Sequence, residues 1–156
     1  MATQEHKPAA FNAVPSGGGL RFGIVVSAWN NQVTEALYEG ARDTLLAAGV
    51  ANHDIVRIDV PGSFELPLAA LRLAKGQHTD GIICLGCIVK GETPHNEFIA
   101  QAVANGIMRL NLDLDLPVVF GVLTPNTQEQ ALARAGGNMG NKGSEAAATA
   151  LLMARR

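Results

Sequence analysis

A three-layer α/β domain, with a four-stranded parallel sheet flanked by helices, is the fold class that this 156-residue sequence predicts. Three observations carry that prediction. Four apolar, β-branched runs of strand length are each bounded by turn residues. Each run is followed by a stretch whose apolar residues recur at helical spacing. The runs are continuously apolar instead of alternating, which marks strands covered on both faces and joined in parallel through right-handed crossovers.

The first strand is expected at 21–28 (RFGIVVSA). Val33, Leu37, Ala41, Leu45 and Ala48 then recur at steps of four or three, and Gly49 stands where a helix-terminating glycine belongs. The second strand is expected at 55–60, before a helix with an apolar face at 64–74. After a third strand at 80–89, Thr93 is a candidate cap and Pro94 a first helical residue, and the pairs Phe98/Ile99, Ala102/Val103 and Gly106/Ile107 lead to Leu110 in one broad stripe. A fourth strand at 117–123 precedes a short helix at 127–135 and an alanine-rich one at 142–154. The class is flavodoxin-like, and such sheets bind ligands beyond the carboxyl ends of their strands. That rule singles out the loops at 27–31, 61–65, 90–95 and 123–126. Residues 1–19 are expected to form a flexible arm that contains His6 and ends in a linker, Gly17-Gly18-Gly19, with the domain proper at 20–156.

Composition excludes several classes. With 47% apolar and 17% charged residues and 12 basic against 14 acidic side chains, the chain reads as one globular domain of net charge −2. It shows no basic footprint for nucleic acid. No run approaches the ~20 apolar residues of a membrane span, and 1–19 has no apolar leader core, so no membrane partner and a cytoplasmic location are expected. Cys84 and Cys87 form a C-x-x-C pair, a spacing used by redox motifs and by half of many zinc sites. Inside an apolar strand, however, residues three apart point to opposite faces, so both are expected to fill core.

The loop after the third strand is the most informative. Gly86-x-x-x-x-Gly91-Glu92-Thr93 mimics a triphosphate-binding loop, but Glu92 replaces the lysine that would reach the phosphates. What remains is either an ordinary helix start or a dipole end for a single anion. His95, in the first helical turn, is either a proton-transfer residue or a solvent-facing one. Trp29 and Phe64, two of seven aromatics (one Trp, one Tyr, five Phe), lie at strand ends, as stacking planes for a heterocycle or as a cover over the sheet edge. Glu65 either accepts hydrogen bonds from a ligand or complements a helix dipole. Arg134 and Lys142 bracket a glycine-rich turn at 136–141, as solvated end charges or as phosphate ligands.

Taken together, Trp29-Asn30, Pro61-Gly62-Ser63-Phe64-Glu65-Leu66-Pro67, Lys90-Gly91-Glu92-Thr93-Pro94-His95, Phe120-Gly121-Val122-Leu123-Thr124 and Gly140-Asn141-Lys142-Gly143 resemble the 6,7-dimethyl-8-ribityllumazine synthases from about Leu20 onward. The resemblance implies a transferase of riboflavin biosynthesis. Such an enzyme would condense 5-amino-6-(D-ribitylamino)uracil with 3,4-dihydroxy-2-butanone 4-phosphate, and the resemblance implies no metal or organic cofactor. Carried over residue by residue, Trp29 would stack on the pyrimidine. Ser63, Phe64 and Glu65 would hold the ribityl chain, and Cys87, Ile88 and Val89 would contact the uracil. Glu92, Thr93 and Arg134 would bind the phosphate, and His95 would move the proton. Phe120, Arg134 and Lys142 would come from a neighbouring subunit.

The sequence departs from the family pattern at Asn96-Glu97, where an aromatic residue and Asp are common, and at Ala28, where Arg is common. The resemblance also implies a homopentamer, twelve of which close into an icosahedral shell in some members. The short 136–143 turn looks like the shell-forming kind, whereas Pro8 and Pro15 interrupt the arm that adds a strand to a neighbour in shells. Two other readings stand beside this one: an archaeal-type riboflavin synthase, and a non-catalytic shell or flavin-binding protein.

Overall fold

The computed structural model describes residues 7–154; residues 1–6 of the expected arm, His6 among them, lie outside the described residues. Four strands, β1 (Phe22–Ser27), β2 (Ile55–Val60), β3 (Gly81–Cys87) and β4 (Val118–Leu123), form one parallel sheet in the order β2-β1-β3-β4. Each expected strand is present, β2 with the expected ends and the other three shorter by one to three residues where their ends run into loops. The chain leaves β1 for one edge and returns to β3 on β1's other side. The loops after β1 and β3 therefore diverge, which opens a crevice at that switch point.

Two layers of helix cover the sheet. On one face α1 (Asn31–Ala47) and α5 (Lys142–Met153) pack on Phe22, Ile24, Val26, Ile83 and Leu85. On the other, α2 (Leu66–Gly76) and α3 (His95–Leu114) pack on Val25, Ile82, Cys84 and Val122. The period of two in β1 and β3 decides which face each side chain joins. Cys87 accordingly belongs to the α1/α5 face and Cys84 to the α2/α3 face, so the C-x-x-C thiols point apart.

The α1 pattern is met closely. Val33, Leu37, Ala41 and Leu45 are fully buried, and Gly49 takes a left-handed backbone (φ 96°) beyond the helix end. The N–H groups of Gly49 and Val50 donate to the carbonyls of Leu46 and Leu45, both at 3.0 Å, closing the last turn. The contact between α1 and α5 is the most extensive between helices. The missing side chain of Gly143 lies against the Leu37 carbonyl, and that of Gly40 against the Asn141 side chain. Asn141 joins both ends of this contact, its Nδ2 donating to the Ala36 carbonyl (3.0 Å) and its Oδ1 capping α5 at the Gly143 and Ser144 N–H groups.

Several expectations need correcting. Pro94 is the N-cap of α3 and not its first residue, and no side-chain hydrogen bond caps that end, so Thr93 is no cap. Val103, Ile107 and Leu110 are buried, but Phe98 is 69% exposed, which narrows the α3 stripe to the part facing α2 and the sheet. After α4 (Gln128–Ala133) the glycine-rich turn is a small antiparallel hairpin, β5 (Ala135–Gly137) with β6 (Gly140–Asn141). Positive φ at Gly136 and Gly140 bends it back on itself. Gly17 is not a loose linker residue: it is buried against Val50 and Leu151, and its N–H donates to the Ala48 carbonyl at 2.7 Å. Pro8 is followed by a short 3₁₀ turn, Ala9–Asn12.

Candidate active site

The crevice at the switch point is a cleft of about 430 Å³. Trp29 lines it from the loop after β1, Ser63, Phe64 and Glu65 from the turn after β2, and Cys87, Ile88, Val89 and His95 from the chain after β3. Eight of the expected site residues thus converge, although three separate loops carry them. The backbone explains why they stay together. Ala28 and Trp29 N–H donate to the Val60 and Pro61 carbonyls (2.8 and 3.1 Å), which continues the β1–β2 pairing past the strand ends. Asn30 takes a left-handed backbone (φ 59°, ψ 45°), a conformation Asn tolerates better than most residues, and its Nδ2 donates to the Cys87 carbonyl at 2.8 Å. That bond ties the Trp29 loop to the end of β3. Asn30 lines the cleft too, and its positioning role escaped the sequence reading; the signals were a turn-type residue after a strand and its place in the Trp29-Asn30 segment.

Trp29 and Phe64 are 73% and 62% exposed, so their ring faces are open toward the cleft mouth and do not cover the sheet. Glu65 does part of what each of its readings asked. One carboxylate oxygen accepts from the Gly62 N–H at 3.0 Å and closes the turn ahead of α2, leaving the other oxygen for a ligand. The Ser63 hydroxyl is buried against Gly86 and has no hydrogen-bond partner among the described residues. Gly86 lies inside β3, where any side chain would strike the Ser63 hydroxyl. The triphosphate-loop likeness therefore fails at its first glycine, which makes room for Ser63 instead of turning a loop.

His95 opens α3, exposed at the rim. The N–H groups of Glu97 and Phe98 turn back to the Pro94 carbonyl, while those of His95 and Asn96 have no intrahelical acceptor. Glu92 and Thr93 lie in the exposed 90–94 loop and do not line the cleft. Burial pushes both thiols up, Cys84 to about 12 and Cys87 to about 11, which leaves them protonated and poor nucleophiles. Among the described residues no group of three or more His, Cys, Asp or Glu side chains gathers to hold a metal ion.

The remaining three site residues are elsewhere. Phe120, Arg134 and Lys142 line a second cleft of about 210 Å³ beside β4, and no residue lines both this cleft and the first. The reading of Arg134 as a solvated end charge is overturned, since only 6% of the residue is exposed. Its Nη1 donates to the Met139 carbonyl of the hairpin (2.5 Å) and to Glu145 Oε1 (3.0 Å), and its Nη2 to Glu145 Oε2 (3.0 Å). Lys142, half-buried, comes within 3.8 Å of the same carboxylate. Glu145 was not singled out in the sequence because one acidic residue in the first turn of a helix reads as a dipole complement. The Lys142-x-x-Glu145 spacing beside Arg134 was the available signal.

A third, apolar groove of about 550 Å³ runs along the exposed edge of β4 between α3 and α5, lined by Ile107, Met108, Val119, Phe120 and Met153 among others. No helix among the described residues is long and apolar enough to cross a membrane.

Comparison with known proteins agrees with this geometry. The family model described as 6,7-dimethyl-8-ribityllumazine synthase matches residues 19–156. A protein of that name from Porphyromonas gingivalis is 50% identical over 156 residues, covering 99% of this chain and 97% of the relative. One from Cytophaga hutchinsonii is 52% identical over 140 residues (90% and 88%), and one from Phocaeicola vulgatus 45% identical over 155 (98% and 92%). A match of that extent, on a sheet whose switch-point cleft gathers residues from three strand ends, places the chain in the 6,7-dimethyl-8-ribityllumazine synthase family.

Proposed function

We propose that the domain at 20–156 condenses 5-amino-6-(D-ribitylamino)uracil with 3,4-dihydroxy-2-butanone 4-phosphate to 6,7-dimethyl-8-ribityllumazine, releasing phosphate and water, as a cytoplasmic enzyme of riboflavin biosynthesis. The observation that carries this reading is the grouping of Trp29, Ser63, Phe64, Glu65 and His95 around one cleft. Imine formation between an amine and a ketone, loss of phosphate and ring closure need positioning and proton transfer more than a strong nucleophile. Trp29 offers its ring face to the pyrimidine, while the Ser63-Phe64-Glu65 segment, with the free Glu65 oxygen, holds the ribityl chain. Cys87, Ile88 and Val89 offer backbone at the end of β3 to the uracil edge. His95, beside the reacting atoms, takes and returns protons. Glu92, Thr93 and the open N–H groups of α3 face the departing phosphate with Arg134, a guanidinium and a dipole end together stabilising its charge.

From a second copy of the chain, Arg134 reaches that phosphate, and Phe120 and Lys142 reach the pyrimidine and ribityl part of the other substrate. The separation of the two clefts supports this, and so does the apolar groove along β4, a surface suited to burial against another subunit. We take the assembly to be a homopentamer at least, with no nucleic-acid or membrane partner.

The test mixes purified protein with both substrates and follows lumazine fluorescence above the uncatalysed rate. Enhanced formation supports the reading. Riboflavin made from lumazine alone would assign the dismutating relative instead, and a monomer mass by light scattering in active protein would overturn the shared site. Arg134→Ala is expected to raise KM for the butanone phosphate by about 10- to 100-fold, the worth of a lost hydrogen-bonded charge. KM for the uracil should stay close to wild type, which steady-state kinetics in each substrate checks.

A further inference from the structure

The ion pair on Arg134 has a directional property. A guanidinium offers two forks: the end-on pair of Nη1 and Nη2, and the side-on pair of Nε–H and the Nη2 hydrogen beside it. Glu145 takes the end-on fork with both oxygens, and the Met139 carbonyl takes the second Nη1 hydrogen. None of Arg134's hydrogen bonds among the described residues uses Nε. One bidentate edge is spent inside the subunit, and the other is free.

The geometry points to Glu145 as a positioning residue, which holds the buried Arg134 guanidinium by one fork so that its Nε/Nη2 fork is fixed for the phosphate of the second substrate. This rests on the assignment of Arg134 to that phosphate. Three features support a positioning role over a merely stabilising one. The guanidinium is buried where a flexible side chain would otherwise choose among rotamers. Two elements, the β5–β6 hairpin and the first turn of α5, grip it from different directions. The same carboxylate lies 3.8 Å from Lys142, so one acid sets two cations in register and leaves a net charge of +1.

The chemistry of the fork predicts which substitution is informative. In Glu145→Gln the amide oxygen accepts one N–H, but the amide nitrogen faces a guanidinium donor, so the two-point grip is lost while volume and packing are kept. On assembled protein, Glu145→Gln is expected to raise KM for the butanone phosphate, and the inhibition constant of inorganic phosphate, about tenfold each, the value of one charge-assisted hydrogen bond. KM for the ribitylaminouracil should stay within twofold. Glu145→Asp keeps the charge and both acceptors, and is expected to recover part of the phosphate affinity. If Glu145→Gln leaves phosphate inhibition unchanged, or weakens both substrates equally, the positioning role is wrong. Should the Gln variant fail to assemble, the Asp variant is read by the same split, and equal loss for both substrates again overturns the proposal. Arg134→Ala in parallel separates the two failures. Unaltered phosphate use in that variant removes the underlying phosphate assignment, whereas loss there with wild-type behaviour in Glu145→Gln removes only Glu145.

Discussion

His95→Ala is expected to lower kcat by about 10²- to 10⁴-fold, the range a single positioned acid–base group contributes. Binding of the ribitylaminouracil should remain, because the contacts proposed for it lie on Trp29, Phe64, Ser63 and Glu65, none of which depends on the imidazole. His95 is exposed in the first turn of α3, and no hydrogen bond holds its ring among the described residues. Its removal therefore opens no cavity and strands no partner, and stability should change by no more than about 0.5 kcal/mol. Rate and fold are thus separable at this position. Stopped-flow lumazine formation, with a fluorescence titration of the pyrimidine alone, checks both halves. Unchanged turnover removes His95 from the mechanism, and a parallel loss of pyrimidine affinity makes it a binding residue.

Gly143→Ala is expected to have the largest effect on stability, about 3 kcal/mol or more. A methyl group there would overlap the carbonyl oxygen of Leu37, a backbone atom in the middle of α1 that no rotamer change can move aside. Relief requires α1 and α5 to separate, which loosens Leu37, Ala147, Ala150 and Leu151, all fully buried between them. At about 2–4 °C per kcal/mol for a chain of this size, the melting temperature should fall by roughly 6–12 °C or more. The same displacement carries Lys142 and Glu145 in the first turn of α5, so surviving protein should use the phosphate substrate poorly. Gly91→Ala, at a position with open space around it, is the matched control and should melt as wild type. A Gly143→Ala melting point within two degrees of wild type would refute the steric account.

The large elements were legible for a physical reason. A strand buried on both faces must be apolar throughout, and a helix on a sheet must repeat every three or four residues, so β1–β4 and α1 wrote themselves into the pattern. The β5–β6 hairpin did not, because Ala135–Gly137 and Gly140–Asn141 are too short and too rich in glycine to show any period. Phe98 misled because an aromatic residue next to the stripe reads as part of it, although the helix turns it outward. In the site, the loops after the strands followed from topology alone, but the roles within them came from resemblance. What neither supplied was the pairing of side chains from different elements. Arg134 reads as solvated until Glu145, eleven residues on, is seen to close over it, and Asn30 reads as a turn residue until the Cys87 carbonyl comes within 2.8 Å.

The two clefts have no residue in common, and that bears on inheritance. A subunit lacking His95 still presents an intact Arg134, and one lacking Arg134 still presents an intact His95. If each working centre draws one half from each of two neighbours, two alleles that are silent when expressed singly restore one another when their products assemble together. Random mixing in a closed ring leaves about a quarter of the centres whole. A single defective allele, by the same logic, disables only the centre to which its product should bring the missing residue and leaves the centre on its other side whole.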